Sequence, residues 1–404
     1  MRSFIKVLLM VLIWPLVIPC QTNSKITSVI EHVNSDSLYN FLEYISGEKL
    51  INSSFGTRYI TSRYFASDGN IVAEEFLKNK LSQYFSATTT MQYFENGGGN
   101  IIAIQRGAVY PDKYIIICAH FDSMPSQGPA PGADDNGSGT AAVLEAARIF
   151  SKEIPDCSII YALWDNEEIG LKGSYYYAQQ ANIKKENIAA VINLDMIGWD
   201  SNNDFVAEVH TKNVGQSNKI AADMIKINSD YNIGLQLLNI NPGTGSSDHA
   251  SFWNFNFPAI LLIENLYADK NIFYHQSLDR LGNINRIFYA KCTKAAIGTL
   301  AFYAGLNGAT EVEEKIPFSF VLSQNYPNPF NSSTVINYAI DKEGEVNLTI
   351  HDCLGRKIKT LISEVQRPNN YSLKFDAGNL SSGIYFYILA VNGRQHVRKM
   401  ILIK

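Results

Sequence analysis

The stretch Tyr114-Ile115-Ile116-Ile117-Cys118-Ala119-His120-Phe121-Asp122 decides the fold. Tyr114 to Ala119 is a short apolar run without alternation, which reads as a strand buried on both faces. It stops on an imidazole and a carboxylate. The same pattern recurs outward along the chain: Ser158-Trp164 runs into Asp165-Asn166-Glu167-Glu168, Ala189-Leu194 ends on Asp195, and Ala259-Ile263 precedes Tyr274-His275. Helical spacing fills the gaps, at Gly137-Phe150, Ser174-Gln180, Gln216-Asn228 and Asn285-Ala304. Upstream lie a helix over Val72-Phe85 and a strand over Asn100-Ile104. Buried strands alternating with helices predict an α/β fold, a mostly parallel (mixed) sheet sandwiched by helices.

The pattern changes after Leu306. Residues 307–317 are polar and acidic and read as a linker, so the α/β domain is expected over 25–306. From Phe318 onward short strands are expected at Val335-Ile340, Val346-His351, Tyr371-Phe375, Ile384-Val391 and His396-Ile403. Asn392-Gly393 between the last two is a hairpin signal. This predicts a small all-β sandwich over 318–404.

At the other end, Met1-Arg2-Ser3-Phe4-Ile5-Lys6 precedes an apolar run from Val7 to Ile18. That is the form of a secretory signal peptide over 1–20. Cys20 raises a lipoprotein alternative, against which Pro19 stands where a small residue is expected. Of 404 residues 18% are charged, with a formal net charge of −4, which leaves no basic footprint for nucleic acid. Cys118, Cys157, Cys292 and Cys353 show no disulfide or zinc spacing and are expected to be small buried hydrophobes.

In an open parallel sheet, ligands gather beyond the carboxyl ends of the strands. His120, Asp122, Glu167, Glu168, Asp195 and His275, with the loop Gly132-Ala133-Asp134-Asp135-Asn136-Gly137, can therefore converge on one rim. Singly, each has an ordinary reading as a turn, a cap or a solvated pair. Their fall at the same end of successive strands favours a metal site, and the mixed nitrogen and oxygen set suits zinc. Ser174, Ser246 and Ser247 lie outside any Gly-x-Ser-x-Gly setting, which argues against a serine nucleophile.

The set His120-x-Asp122, Gly132-Ala133-Asp134-Asp135, Glu167-Glu168-x-Gly170-x-x-Gly173-Ser174, Asn193-Leu194-Asp195-Met196-Ile197-Gly198, Ser247-Asp248-His249-x-x-Phe252 and His275 with Asp279 resembles the clan MH zinc exopeptidases. Within that clan it is similar to the bacterial leucyl aminopeptidases, glutamate carboxypeptidases and glutaminyl cyclases, over roughly Arg58 to Ala304. The resemblance implies two Zn2+ per chain, with His120 and Asp195 on one ion, Glu168 and His275 on the other, and Asp134 bridging through a loop whose Asp134-Asp135 bond is cis. It implies Glu167 as general base and Asp122 as the acceptor that orients His120, with Asp279 and Ser247 in support. The stretch Pro242-Gly243-Thr244-Gly245-Ser246 lacks the Tyr and Cys pair of well-known members, leaving His249 or the metals to steady the oxyanion.

An aminopeptidase acting on peptide or protein N-termini is the leading expectation. A glutamate-type carboxypeptidase would need basic residues such as Arg58, Arg63 or Arg280 at the substrate. A glutaminyl cyclase would resemble a one-zinc site without a second Asp after the bridging one. A catalytically dead adhesin would not need Glu167.

The tail has its own resemblance. Gln324-Asn325-Tyr326-Pro327-Asn328-Pro329-Phe330-Asn331, Asp352-Cys353-Leu354-Gly355-Arg356, Ser382-Gly383-Ile384-Tyr385 and Lys399-Met400-Ile401-Leu402-Ile403-Lys404 resemble the C-terminal sorting domains of type IX secretion. That implies the type IX machinery as a partner, and a secreted or cell-surface destination reached through the periplasm.

Overall fold

The structure is a computed structural model. It describes residues 22–65, 67–306, 320–340, 342–366 and 369–403. The signal peptide and linker expected from sequence lie outside these residues. The chain divides into two compact units, Met1–Thr310 and Glu311–Lys404.

The first unit is built on an eight-stranded sheet. Its strands are β1 (Thr90–Tyr93), β2 (Gly99–Gln105), β3 (Tyr110–His120), β4 (Cys157–Trp164), β5 (Asn187–Leu194), β6 (Val206–His210), β7 (Gln236–Ile240) and β8 (Ala259–Glu264). They lie in the order β1-β2-β4-β3-β5-β8-β6-β7. The inner four, β4-β3-β5-β8, are mutually parallel, while β2 joins β4 and β6 joins β8 antiparallel. The mixed, mainly parallel sheet expected from the apolar runs is what forms.

Helices cover both faces: α1 (Ser24–Glu31), α2 (Ser35–Ile45), α3 (Asp68–Phe85), α4 (Gly139–Phe150), α5 (Lys172–Lys184), α6 (Ser217–Asp230), α7 (His249–Asn254) and α8 (Arg286–Ala304). Alternate strand residues serve the two layers. Ile115 and Ile117 of β3 join the core formed with α1, α2, α4 and α8, whereas Ile116 and Cys118 join Tyr177 and Ala178 of α5 and Phe252 of α7. Side chains alternate across a pleated strand, so an unbroken apolar run feeds both cores at once. Asn23 and Asn34 cap α1 and α2 with their side chains, which is why helices begin there despite a short apolar pattern. Among the described residues no helix is long and apolar enough to cross a membrane.

Register levels the strand ends. His120 pairs with Trp164, Cys118 with Asn193, and Leu194 with Leu262. The polar residues that follow β3, β4 and β5 therefore emerge along one rim.

The second unit is a two-sheet sandwich. Its strands are β9 (Val321–Leu322), β10 (Ser333–Ile340), β11 (Gly344–His351), β12 (Lys357–Gln366), β13 (Asn369–Asp376), β14 (Gly383–Val391) and β15 (Arg394–Leu402), in sheets β9-β10-β13 and β12-β11-β14-β15. Ile336, Tyr338 and Phe375 from one sheet pack on Leu348, Tyr387 and Leu389 from the other. The Gln324–Asn331 stretch is sewn to the sandwich by Asn325 N donating to the Tyr387 hydroxyl at 2.7 Å and Phe330 N to the Ile401 carbonyl at 2.9 Å. Cys353 departs from its expected burial and is exposed on a turn, while Cys118, Cys157 and Cys292 are buried.

Candidate metal centre

His120 is the last residue of β3 and is almost fully enclosed. Its Nδ1 lies 3.2 Å from the Asp122 carbonyl and 3.4 Å from Asp122 Oδ1, so the Asp122 side orients the ring. Asp122 does more than sequence suggested. Its two oxygens accept the backbone N–H groups of Glu167 and Glu168, each at 3.1 Å. One buried carboxylate thus fixes both the imidazole and the loop that presents the paired glutamates. Asp165 ties the other side of that loop, accepting from Asn70 Nδ2 at 3.0 Å and Gly99 N at 3.2 Å.

Of the adjacent carboxylates, Asp135 stands where Asp134 was expected. Asp135 reaches both histidines, with Oδ1 3.4 Å from His120 Nε2 and Oδ2 3.2 Å from His275 Nε2. Asp134 points elsewhere: its Oδ1 accepts Gly198 N at 2.8 Å and its Oδ2 accepts Asn271 Nδ2 at 3.0 Å. Asp134, expected to bridge two ions, therefore faces away from the histidines, its oxygens engaged by donors behind the site, and Asp135 is the carboxylate that stands between them. The cis bond likewise falls at Asp135-Asn136, not at Asp134-Asp135. Asp279 accepts the N–H groups of Asp134 at 3.0 Å and Asp135 at 2.9 Å, and Asn136 Nδ2 donates to the Leu194 carbonyl at 2.8 Å. The turn is thereby tied both to the loop after His275 and to β5.

Asp195 follows β5 directly. Its Oδ2 accepts the Ser247 hydroxyl at 2.6 Å, leaving Oδ1 3.5 Å from His120 Nε2. His275 Nε2 lies 2.9 Å from Glu168 Oε2. Four donor atoms of this group, on Asp135, Glu168, Asp195 and His275, are buried without a hydrogen-bond partner. Buried polar atoms normally have partners, so converging bare donors mark a place for a cation. Among the described residues, two sets bring ligand atoms within 4.8 Å of one another: His120 with Glu167 and Asp195, and His120 with Asp135 and Glu168. This donor set fits zinc.

Electrostatics agree. Burial, reinforced by Asp248, Asp195 and Glu168, holds Glu167 well above the usual carboxylate range against the pull of His120. Burial and Asp135 push Glu168 up to about 7. Burial disfavours the cationic form of His275, but Asp135 and Glu168 overcome it and raise the ring to about 10. Such crowding of acids around two imidazoles is relieved by positive charge.

Sequence reasoning gave no structural role to Arg63. It is fully buried and donates to the carbonyls of Phe121 at 2.6 Å, Ile45 at 2.6 Å and Gly132 at 2.9 Å, with a further bond to Pro131. Burial lowers it to about 10, opposed by Asp279, Asp122, Asp135 and Glu168. Its charge thus sits beneath the acidic centre, while its donors knit the loops after Ile45, β3 and Pro131. His249 meets the Thr244 carbonyl through Nε2 at 2.8 Å, its Nδ1 is buried without a hydrogen-bond partner, and burial lowers it to about 3. Ser174 is buried and shares a 2.8 Å hydrogen bond with Ser251.

Comparison with known proteins identifies both units. Residues 100–300 match Peptidase family M28, and residues 324–404 match the secretion system C-terminal sorting domain. Leucine aminopeptidase 1 of Ajellomyces capsulatus (strain NAm1 / WU24) is 28% identical over 62% of this chain and 69% of its own. Aminopeptidase YwaD of Bacillus subtilis (strain 168) is 34% identical over 43% of this chain and 37% of its own. In fold, the Legionella pneumophila LapA aminopeptidase covers 72% of this chain and 78% of its own, with a TM-score of 0.59 at 24% identity. Bacteroides thetaiotaomicron glutaminyl cyclase shares the fold with a TM-score of 0.53 at 20% identity, over 66% of this chain and 97% of its own. The catalytic unit of this chain belongs to peptidase family M28, a family of zinc exopeptidases, and its tail is a secretion system C-terminal sorting domain.

Proposed function

We propose that the chain is a secreted di-zinc aminopeptidase that removes single residues from the N-termini of peptides. One observation carries this reading: Asp135 stands between two imidazoles, amid donor atoms of Glu168, Asp195 and His275 that have no other partner. His120 and Asp195 would hold one zinc, Glu168 and His275 the other, with Asp135 shared. Three carboxylates would offset most of the charge of two divalent ions. When bound, zinc acidifies water and polarises the scissile carbonyl.

The protein supplies the rest. Glu167 takes the proton of the attacking water and hands it to the leaving amine; its raised affinity for protons suits a base that must then act as an acid. Asp122 keeps Glu167 and Glu168 in register through their amides. The reaction is hydrolysis without a covalent intermediate.

The carboxypeptidase alternative is weakened by its own candidates. Arg63 is fully committed to backbone carbonyls, Arg58 is ion-paired with Asp68 at 3.4 Å, and Arg280 is exposed. The sequence argument against a cyclase, a second Asp after the bridging one, does not survive the shift to Asp135, since Asn136 follows it. The cyclase is therefore separated by product.

The test incubates free, N-acetylated and N-terminal glutamine peptides with the enzyme and reads products by mass spectrometry. Loss of one N-terminal residue from free peptides only is expected. Loss from the C-terminus, or ammonia lost from N-terminal glutamine as the sole reaction, would refute the reading. Glu167→Gln should lower kcat by about 100- to 10,000-fold while leaving metal content unchanged; full activity would remove Glu167 from the mechanism.

Export by the type IX route to the outside or the cell surface is likewise proposed, through the machinery that reads the sorting domain. The expected N-terminal signal peptide would open that route.

A further inference from the structure

We infer that Glu208 selects substrates whose N-terminal residue is lysine or arginine; this rests on the aminopeptidase reading above. Beside the metal centre lies a small apolar cluster of Met196, Leu261, Ile263, Leu266 and Tyr274. It is continuous with the centre: Met196 follows Asp195, and the ring of Tyr274 stacks 3.7 Å from that of His275.

The far wall of the cluster is not apolar. In the antiparallel pair of β8 and β6, Ile263 faces Glu208 and Leu261 faces His210, and directly paired residues share a face. Glu208 and His210 therefore stand beside the cluster, both buried. The hydrogen bonds fix the tautomer of His210. Thr244 N–H donates to His210 Nδ1 at 3.0 Å, so the ring proton sits on Nε2, which donates to Glu208 Oε2 at 2.7 Å. A neutral imidazole against a carboxylate leaves a net negative charge. Among the described residues no lysine or arginine is ion-paired with Glu208. The other oxygen, Oε1, has only a long contact of 3.4 Å from Tyr267 N.

A buried carboxylate with spare acceptor capacity is costly to leave beside an aliphatic side chain. A lysine or arginine resolves that cost, with its methylene stem along the edge of the cluster and its charged head at Glu208.

The test measures kcat/KM for lysyl, arginyl and leucyl p-nitroanilides with the zinc-loaded full chain, its Glu208→Gln variant and its Glu208→Asp variant. Lysyl and arginyl substrates should be preferred by the wild type. Glu208→Gln should cut the lysyl-to-leucyl ratio at least tenfold, and Glu208→Asp should keep most of it. A wild type that prefers leucine overturns this inference and leaves the aminopeptidase reading standing. Equal loss on both substrates in Glu208→Gln also overturns it, by making the residue structural. No hydrolysis of any free-amino anilide overturns both readings.

Discussion

Two neighbouring aspartates show what a single residue's environment decides. Asp134 and Asp135 have the same chemistry, yet one accepts Gly198 N and Asn271 Nδ2 and the other faces two imidazoles. Their pKa directions diverge accordingly. Burial raises Asp134, whereas His120 and His275 overcome burial and lower Asp135. The metal-free centre should therefore lose stability as pH rises. Glu168, at about 7, and His275, at about 10, are both above their unfolded values, so protonation stabilises the fold. That contribution is complete below the ordinary carboxylate value and falls away as pH climbs through about 7 and then about 10. The melting temperature of the chelated chain should decline over that window, and zinc should flatten the decline while releasing protons, read by calorimetry in two buffers. A flat profile for the metal-free chain would contradict the charge arrangement. His120, Asp122, Glu167, Glu168, Asp195 and His275 were legible because each follows a readable strand or a specific motif. Choosing between Asp134 and Asp135 was not, since the turn that aims them depends on Asp279, 145 and 144 residues away in sequence.

Among elements, legibility tracked the length of the apolar run. The continuous runs of β3, β4, β5 and β8 announced themselves, as did α4 and α8. β6 and β7 were missed, one being short and the other a partly exposed edge. β12 was missed for a different reason: register shifts at Leu348/Thr349 and Ile350/His351 leave Leu361 and Ile358 without directly opposed partners and break the period of two. The glutamate loop depends on how closely α5 approaches β4. A Cβ on Gly173 would come 2.2 Å from Asn100 Oδ1 and 2.4 Å from the Asp165 carbonyl, and the backbone oxygen cannot rotate aside. Gly173→Ala should therefore cost about 1–3 kcal/mol in urea unfolding and reduce bound zinc. Wild-type stability and metal content together would show that the approach is not needed.

At the scale of the molecule, the catalytic unit and the tail own separate cores. Among the described residues, none of the tail joins the clusters around the eight-stranded sheet, and none of the catalytic unit joins the sandwich cluster. Each has the makings of an independent domain. A chain ending at Leu306 should fold, bind zinc and keep the kcat/KM of the full chain on a peptide anilide. Aggregation or inactivity of the truncated chain would mean that the sandwich completes the enzyme. The tail's own pattern was legible in its hairpin and its Gln324–Asn331 stretch, whose donors close onto Tyr387 and Ile401.

The most direct measurement is anomalous diffraction from zinc-loaded crystals at the zinc edge. Two peaks are expected, each about 2.0–2.2 Å from a different carboxylate oxygen of Asp135, with Asp134 still on Gly198 and Asn271. A single peak, or metal bound through Asp134, would contradict the account.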